Sequence, residues 1–471
     1  MSRILFALTP VTGHVRPALP LARALVDEGH DVVVYTGRKF ASAVTATGAK
    51  HAPIVQGRDL DDAEFDAWSS EHDAPAPGIK RVQWDVLHHF VATVPGFLAD
   101  IDTVVAAERP DVIVMDNAFM AGAIAARRHD LPSVLFSVSP LAISSKDTAP
   151  FGMGLQPPRT GFDGLRYALL DWFTRKVVFR DVQRAAEQIV ADAGQPVPDG
   201  FFLDWVQTEV TRVLHPSIPS FEYPRSDLPE HVELVGPYLP AGIDGFDPPA
   251  WWDDVLEARA TGRPVVLVTQ GTVATDPERL LWPAIDGLAD EDVLVVATTE
   301  PLDAYPANVR ATPFVPFDRL LPLVDVLVTN GGFGGVQQAL AAGVPVIVAG
   351  RTEDKAEVGA RVVWSGVGLA LPTDKVTDGT TSQAVRDGVN RVLDNPSFAR
   401  RAAELAQEYA EYDGIARTVS VITEVAGAGR RGRGRCHSLP AWERRSPWRK
   451  VEGRQRAVVA PFSGRHDGVR P

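Results

Sequence analysis

Buried-type strands alternate with helical stretches in two separate runs along this chain, and this pattern constrains the fold more than any other feature. The first run contains the apolar segments RILFAL, DVVVY, DVIVM and SVLFSV; after residue 260 the pattern restarts with PVVLVT, DVLVVAT, DVLVT and VPVIVA. Strands that alternate with helices in this way form parallel sheets covered by helices on both faces. We therefore predict an α/β fold of two doubly wound, Rossmann-like domains that face each other across a cleft.

The stretch between the two runs, GPYLPAGIDGFDPPAWWDD, is rich in proline and glycine and is typical of a linker. A chain of 471 residues also exceeds the size of one ordinary hydrophobic core. The predicted organisation is an N-terminal domain over 1–237, a linker over 238–254, a C-terminal domain over 255–410, a helix over 411–426 that returns to the N-terminal domain, and a tail over 427–471.

The tail differs from the rest of the chain in charge. It carries twelve basic and three acidic residues, whereas the preceding 426 residues carry 35 basic and 57 acidic ones. We predict that the tail is a basic, disordered extension; a basic arm for a membrane surface or for nucleic acid is the alternative. The acidic body is not expected to bind nucleic acid.

Cysteine usage and apolar runs bear on the compartment. The only cysteine, Cys436, excludes an intramolecular disulfide framework and fits a reducing cytoplasm. The N-terminal segment MSRILFALTP is too short in apolar residues for a signal peptide. We find no run of about eighteen consecutive apolar residues and therefore expect no transmembrane segment and a cytoplasmic protein.

A glycine-rich turn follows a strand in VLVTNGGFGGVQQAL. Gly331, Gly332, Gly334 and Gly335 carry no side chains, so a ligand can approach the backbone, and the next helix directs free N–H groups and its positive dipole end at that space. This arrangement suits a diphosphate and needs no metal. The turn is not a Walker motif, since no Gly-Lys-Ser/Thr follows it, and it is a poor Rossmann fingerprint, since Gln337 occupies the third glycine position. Tight packing alone is the alternative reason for the glycines.

A histidine and an aspartate follow two strands of the first run. His14 comes just after RILFAL at the start of a helix, and Asp116 ends DVIVMD. The helix N-terminus disfavours an imidazolium, so we expect His14 to be neutral and able to accept a proton near pH 7. Asp116 would orient His14 and stabilise its protonated form. A structural histidine and a helix-capping aspartate remain the simpler interpretations.

Two further segments of the second run lie at strand ends. Thr272 follows Gly271 directly after PVVLVT, which brings a hydroxyl and backbone amides to the cleft. In TPFVPFDRLLP, the chain before Pro316 should be extended, which frees the ring of Phe314 to stack on a flat ligand. Taken alone, each segment is also compatible with a purely structural role.

Together these segments resemble one family, the inverting UDP-glycosyltransferase superfamily with the GT-B fold, and most closely the bacterial enzymes that glycosylate macrolides and other natural products. The resemblance covers residues 3–426. It rests on GHVRPALPLARAL, VMDNAF, LHPSIPSFEYPR, VTQGT, the long motif from VRATPFVPF to VPVIVAG, and EDKAEVGARV.

The resemblance implies a role for individual residues. His14 is the base that takes the acceptor's proton, and Asp116 is its partner. The nucleotide and diphosphate contacts are Thr272, Phe314, Val315, Asn330, Gly331, Gly332, Gly334, Gly335 and Gln338. Asp354 and Lys355 hold the donor sugar.

The resemblance also implies a reaction. The N-terminal domain would bind the acceptor and the C-terminal domain the nucleotide sugar, linked to UDP or dTDP. Neither a cofactor nor a metal is implied. An acceptor hydroxyl attacks opposite the leaving diphosphate, so an α-linked donor gives a β-linked product. The expected oligomeric state is a monomer or a homodimer.

Four positions depart from the family pattern. Asn330 stands where the family has histidine, Gly335 replaces a hydroxyl residue, Gln338 replaces an acidic residue, and Lys355 replaces glutamine. We interpret these departures as variant donor recognition, with Arg351 as a candidate for compensation. Loss of turnover with retained donor binding is the alternative.

The acceptor remains unnamed by the sequence. Aromatic residues between positions 78 and 175 suggest a broad apolar acceptor pocket; they are Trp84, Phe90, Phe119, Phe151 and Trp172. Two other functions compete with sugar transfer. A donor-binding homologue that activates a partner enzyme would have no use for a His–Asp base, and a non-hydrolysing sugar-nucleotide epimerase would need extra acids around the sugar.

Overall fold

The computed structural model describes residues 1–59, 61–239, 246–271, 276–299, 305–374 and 379–435. The chain divides into a large unit, Met1–Arg430, and a small unit, Arg431–Pro471, which is described only as far as Arg435. Thr272, one of the predicted phosphate contacts, lies outside the described residues.

The first half of the large unit is built around a seven-stranded sheet in the order β3-β2-β1-β4-β5-β6-β7, with every pairing parallel. Its strands are β1 (Arg3–Ala7), β2 (Asp31–Thr36), β3 (Lys50–Pro53), β4 (Val112–Asp116), β5 (Ser133–Phe136), β6 (Arg212–His215) and β7 (Val232–Leu234). Its helices are α1 (Thr12–Asp27), α2 (Ala41–Thr45), α3 (Phe65–Glu71), α4 (Ile79–Asp85), α5 (Val94–Glu108), α6 (Met120–Arg128), α7 (Gly161–Phe173), α8 (Arg180–Asp192) and α9 (Phe202–Thr208). Short π-helical segments, Val86–Val91 and Thr174–Val178, follow α4 and α7.

The second half contains a six-stranded parallel sheet in the order β10-β9-β8-β11-β12-β13. Its strands are β8 (Val265–Thr269), β9 (Leu294–Thr298), β10 (Val309–Thr312), β11 (Val326–Thr329), β12 (Val346–Val348) and β13 (Gly368–Ala370). The helices of this part are α10 (Trp252–Thr261), α11 (Leu281–Leu288), α12 (Phe317–Leu320), α13 (Phe333–Ala341), α14 (Lys355–Ser365), α15 (Ser382–Asp394) and α16 (Pro396–Tyr409), and α17 (Gly414–Arg435) follows them.

Each sheet is buried on both faces. In β1, Ile4 and Phe6 pack in one hydrophobic cluster, while Leu5 and Ala7 pack in the cluster on the opposite face. The strands therefore consist of nearly continuous apolar residues, as expected for parallel sheets with helices on both sides. The predicted α/β architecture with two Rossmann-like sheets is confirmed.

The last helix returns to the first sheet. Val421, Ile422 and Val425 of α17 pack in the same cluster as Ile4 and Phe6 of β1. The helix does not end at Ala426: it continues to Arg435, and the Arg430 guanidinium donates to the carbonyl oxygen of Met1. The prediction of a disordered tail from Gly427 is therefore wrong for residues 427–435, which are helical.

The predicted linker also ends earlier than the sequence indicated. Helix α10 begins at Trp252, two residues before the predicted boundary, and its Val255 and Ala258 pack in the core of the second sheet. Trp251 and Trp252 pack against that same core, so the tryptophans of the linker motif belong to the second domain.

Candidate active site

The two sheets each have a point where the strand order reverses, between β1 and β4 and between β8 and β11. In doubly wound folds, ligands bind in the crevice beyond the carboxyl ends of the strands at such points. His14, on the first turn of α1, follows β1, and Asp116 is the last residue of β4. The sequence-predicted pair therefore lies at the reversal point of the first sheet.

His14 and Asp116 are in direct contact. Nδ1 of His14 lies 2.8 Å from Oδ1 of Asp116, and the carboxyl group has no exposed surface. Asp116 also accepts hydrogen bonds from the Thr9 amide at 2.7 Å, the Thr9 hydroxyl at 3.0 Å and the Ala118 amide at 2.9 Å. Because an ionised carboxylate only accepts hydrogen bonds, Nδ1 carries the proton and Nε2 of His14 is left as the basic nitrogen.

The electrostatics of the pair differ from the expectation for a helix N-terminus. Burial disfavours the imidazolium, but the Asp116 carboxylate outweighs it and raises the pKa of His14 above 6.5, with help from Asp354 and Glu353. Burial likewise opposes ionisation of Asp116, yet His14 and the Thr9 amide lower the pKa of Asp116 overall. The expected depression of the His14 pKa is therefore wrong in sign, because a carboxylate in contact outweighs burial.

The glycine turn lies at the reversal point of the second sheet. Gly331 follows β11 with φ of 97°, a left-handed conformation that favours glycine, and a β-carbon there would lie 2.6 Å from Cγ1 of Val348. The buried side chain of Asn330 is next to Gly271, where a β-carbon would lie 3.3 Å from the amide oxygen and nitrogen of Asn330. The ends of β8 and β11 therefore come together around Asn330.

Helix α13 begins in this turn with its first amide groups uncapped by a side chain. Its N-cap residue is Gly332, and no side chain hydrogen-bonds there. Gly332 and Gly334 are exposed, and a β-carbon on either would meet no atom within 4 Å. Among the residues that the structure describes, open space thus lies beside these two glycines at the helix N-terminus, as an anion site requires. Gln338, one turn further on, donates to the Gly334 carbonyl at 3.3 Å and is half-buried.

The predicted base-stacking residue is exposed. The side chain of Phe314 is 64% exposed, whereas the side chain of Val315 is buried in the second core. The backbone carbonyl of Phe314 accepts a hydrogen bond from the Thr312 hydroxyl at 2.9 Å, which anchors the segment before α12. An exposed phenylalanine ring next to an anchored backbone can form a platform for a flat base.

The segment before α14 contains a strained residue. Glu353 has φ of 58°, a left-handed conformation that is uncommon outside glycine and tends to occur at functional sites. Burial and the neighbouring Glu353 carboxylate raise the pKa of Asp354 to about 7, against the opposing effects of Lys355 and His14. His14 and Asp354 each contribute to the pKa of the other, although they belong to different halves of the molecule.

Lys355 is more constrained than its predicted role as a sugar contact implies. Its ammonium group is buried, lies 3.3 Å from a carboxylate oxygen of Glu353, and donates to the Thr352 hydroxyl at 3.1 Å. The lysine therefore neutralises the acidic turn that carries Asp354.

The aromatic residues proposed for the acceptor pocket do not form a single set. Phe119 is 2% exposed and packs between Tyr35 and Phe97 in the first core, so its assignment to the pocket is wrong. Trp84 is half-buried in a cluster with Trp68, His88 and His89. The others are Phe90, half-buried after α4, Phe151, which lines a small cavity between the two halves, and Trp172, which is exposed on α7.

Among the described residues, one apolar helical segment is long enough to cross a membrane. It runs from Ile79 to Glu108, and its length and composition alone are those of a membrane span, contrary to the expectation from the sequence. The segment comprises α4, a π-helical segment and α5, and Phe97, Leu98 and Ile101 of α5 pack in the first core. It is a weak indication of a membrane span, because core helices have the same composition.

Sequence reasoning missed a buried ionic cluster between the two halves. Arg361 of α14 contacts Glu222 and Glu357, and all three residues are at most 5% exposed. Glu222 lies in SFEYPR, and Glu357 and Arg361 lie in EDKAEVGAR. Both segments belong to the motifs on which the family resemblance rests. The spacing of Glu357 and Arg361, four positions apart on a helix, was the available signal.

Comparisons with known proteins agree with this geometry. The family model described as the glycosyl transferase 4-like domain matches residues 12–191, and that of the erythromycin biosynthesis protein CIII-like C-terminal domain matches residues 284–421. Among solved structures, CalG4, the calicheamicin glycosyltransferase, superposes with a TM-score of 0.68 at 22% identity over 91% of this chain and 98% of that one. The fold is thus that of the GT-B glycosyltransferases.

Sequence relatives narrow the class. The 4'-demethylrebeccamycin synthase of Lentzea aerocolonigenes is 41% identical over 425 residues, which are 89% of this chain and 99% of the relative. UDP-glycosyltransferase 2 of Phaeomoniella chlamydospora is 31% identical over 90% of this chain and 96% of its own length. The chain belongs to the GT-B natural-product glycosyltransferases, and it is an enzyme.

Proposed function

We propose that the protein transfers a sugar from a UDP- or dTDP-sugar to a hydroxyl group of a hydrophobic small molecule in the cytoplasm, with inversion at the anomeric carbon and without a metal ion. The observation that carries the proposal is the contact of His14 with buried Asp116, in electrostatic reach of Asp354 from the other half of the molecule. A protein that only binds nucleotide sugars needs no such base.

In the proposed mechanism, Nε2 of His14 takes the proton of the acceptor hydroxyl as its oxygen attacks the anomeric carbon. Asp116 fixes the ring by accepting from Nδ1 and stabilises the imidazolium that forms. General base catalysis of this kind contributes roughly 100- to 10,000-fold to the rate. Transfer therefore requires His14 to be neutral at the start of the reaction.

The bond from the anomeric carbon to the diphosphate breaks as the new bond forms. The amide groups at the start of α13 and its dipole would stabilise the charge that develops on the departing diphosphate. The exposed ring of Phe314 would stack on the base of the nucleotide, and Asp354 would accept hydrogen bonds from sugar hydroxyls. Attack from the side opposite the leaving group inverts the anomeric configuration.

The names of the relatives support a proposal for the acceptor class. A synthase of 4'-demethylrebeccamycin is similar over nearly the whole chain, and its product name denotes a natural product. We infer an apolar, ring-containing acceptor that enters between Phe151 and the helices of the first half. The departures at Asn330 and Lys355 then concern the choice of donor.

The experiment that tests the proposal incubates the full-length protein with UDP- and dTDP-sugars and a panel of macrolide and phenolic acceptors, and records product masses. A product heavier than the acceptor by one glycosyl residue is the expected result. Nucleotide binding without any product across the panel would favour the donor-binding homologue instead.

A further inference from the structure

Three buried charged residues connect the two halves of the molecule, and we refer to Glu222, Glu357 and Arg361 as the bridge. Arg361 donates to Glu222 through Nε at 2.9 Å and through Nη2 at 2.7 Å, and its Nη1 lies 2.9 Å from Oε2 of Glu357. Glu222 belongs to the segment after β6, whereas the other two residues lie on α14. Removing Arg361 would leave two buried carboxylates without the cation that they share.

The second oxygen of Glu357 holds a loop of the first half. Oε1 accepts hydrogen bonds from the amides of Gly152 and Gly154, both at 2.9 Å. The loop lies flush on the helix: a β-carbon on Gly154 would come within 2.9 Å of the Ala356 carbonyl oxygen. Glu357 therefore uses both carboxylate oxygens: Oε2 contacts Arg361, and Oε1 contacts the loop.

The position of this contact relates it to the two substrates. Phe151 directly precedes the anchored loop residues and, with Leu155, lines the cavity between the halves. On the other side, Glu357 lies three residues after Asp354, the proposed sugar contact at the start of α14. One carboxylate thus links the loop proposed to carry the acceptor wall to the turn proposed to hold the donor sugar.

We propose that Glu357 is a positioning residue for sugar transfer. It holds the acceptor loop, Phe151–Gly154, at a fixed position relative to Asp354, so that the acceptor hydroxyl lies next to the anomeric carbon. The inference rests on the proposed function and adds to it a residue that touches neither substrate. Displacing a reactant by about 1 Å can lower the rate roughly 100-fold, so the rate of transfer depends on the position of the acceptor loop.

A purely structural role would give a different result. Loss of stability lowers nucleotide binding, donor hydrolysis by water and sugar transfer together. A displaced acceptor loop lowers the rate of sugar transfer alone, because water does not depend on this loop to reach the anomeric carbon. The ratio of transfer to donor hydrolysis therefore distinguishes the two roles.

The matched variants are Gly154→Ala and Gly194→Ala. Gly154 has φ of 61° and would clash with Ala356, whereas Gly194 has φ of 71° with no atom within 4 Å of an added β-carbon. The two substitutions share the backbone strain, and only the first lifts the loop from α14. Neither leaves a buried charge unpaired.

The measurements use the full-length chain with the donor and acceptor that give product. For Gly154→Ala we expect kcat/KM for the acceptor to fall at least about 10-fold relative to Gly194→Ala, with donor hydrolysis and calorimetric UDP and dTDP affinity within about threefold. Equal transfer by the two variants, or a parallel loss of hydrolysis and nucleotide affinity in Gly154→Ala, would overturn the proposal.

Amide hydrogen exchange gives a readout that does not need turnover. In Glu357→Ala, peptides covering residues 148–157 should exchange faster than in wild type, because two amide groups lose their acceptor. Unchanged exchange there would contradict the loop anchoring. If the wild-type chain makes no product, the proposed function fails, and exchange still decides whether Glu357 anchors the loop.

Discussion

The ring nitrogen Nδ1 of His14 lies 2.8 Å from Oδ1 of Asp116, although 102 positions separate the two residues in sequence. Parallel strands β1 and β4 are neighbours in the sheet, so the groups that follow them meet at one edge. Asp116 is buried and saturated by the backbone amides of Thr9 and Ala118, which fixes its orientation independently of His14. The pair is thus preorganised before any ligand binds.

Replacing the proposed base should separate chemistry from binding. In His14→Ala we expect the transfer rate to fall by roughly 100- to 10,000-fold, because no group takes the acceptor proton. Calorimetry should give UDP and dTDP affinities within about twofold of wild type, since the proposed nucleotide contacts lie in the second half. Turnover at the wild-type rate would remove His14 from the mechanism.

The pH dependence should report the raised pKa of His14. Only neutral His14 accepts a proton, so kcat/KM should rise with pH through a value above 6.5. Asp116→Asn removes the main interaction that raises this pKa, so the acidic limb of the profile should move to lower pH while the maximal rate falls.

The pKa of Asp354 is raised to about 7, in the same region. The acidic limb of the profile is therefore expected to belong to His14 and Asp354 as a coupled pair. Asp354→Asn is the control for this experiment: the limb should persist in that variant. If the acidic limb vanishes in Asp354→Asn and does not move in Asp116→Asn, the titrating group is Asp354 and not His14. That result would contradict the proposed base.

A branched side chain at the start of α13 should block the diphosphate. Gly334→Val places its methyl groups in the open space before the helix N-terminus, so we expect at least about a 10-fold loss of UDP affinity by calorimetry. Gly164→Val in α7, also helical and open, is the matched control and should bind as wild type does. EDTA should change neither value.

Wild-type affinity in Gly334→Val would locate the diphosphate elsewhere. Strict sensitivity of the wild-type protein to EDTA would show that a cation, and not the helix end, carries the phosphate charge.

Two truncated chains should differ in stability. A chain that ends at Arg435 keeps all of α17 and should match the full-length protein in Tm and activity. A chain that ends at Ala426 loses the Arg430 contact with Met1 and the packing of Gly429 on Pro132. A loss of about 1 kcal/mol lowers Tm by roughly 2–4 °C in a domain of this size, and differential scanning calorimetry resolves it. Equal Tm values would make residues 427–435 dispensable.

The long apolar strands and the glycine turn could be predicted because their signals are local. DVVVY and PVVLVT are buried on both faces, and a continuous apolar run is the pattern such strands require. Short edge strands escaped prediction for the opposite reason. The segment KHAP of β3 has no periodicity of its own and becomes a strand only by pairing with β2.

Features that depend on distant residues could not be derived from local patterns. The bridge joins Glu222 to Arg361 across 139 positions. Similarly, the sign of the His14 pKa shift depends on contact with Asp116, which outweighs the effect of burial. The composition of residues 427–435 resembles that of disordered segments, but a glycine at 429 is what allows α17 to pass close to Pro132 and the Asp111 carbonyl.

The anomeric configuration of the product tests the central claim most directly. Transfer from an α-linked donor such as UDP-glucose, followed by proton NMR of the purified product, gives the coupling constant of the anomeric proton. The account predicts a β-linked product, because the acceptor activated by His14 attacks from the side opposite the diphosphate. An α-linked product would contradict a single inverting displacement and the role of His14 as its base.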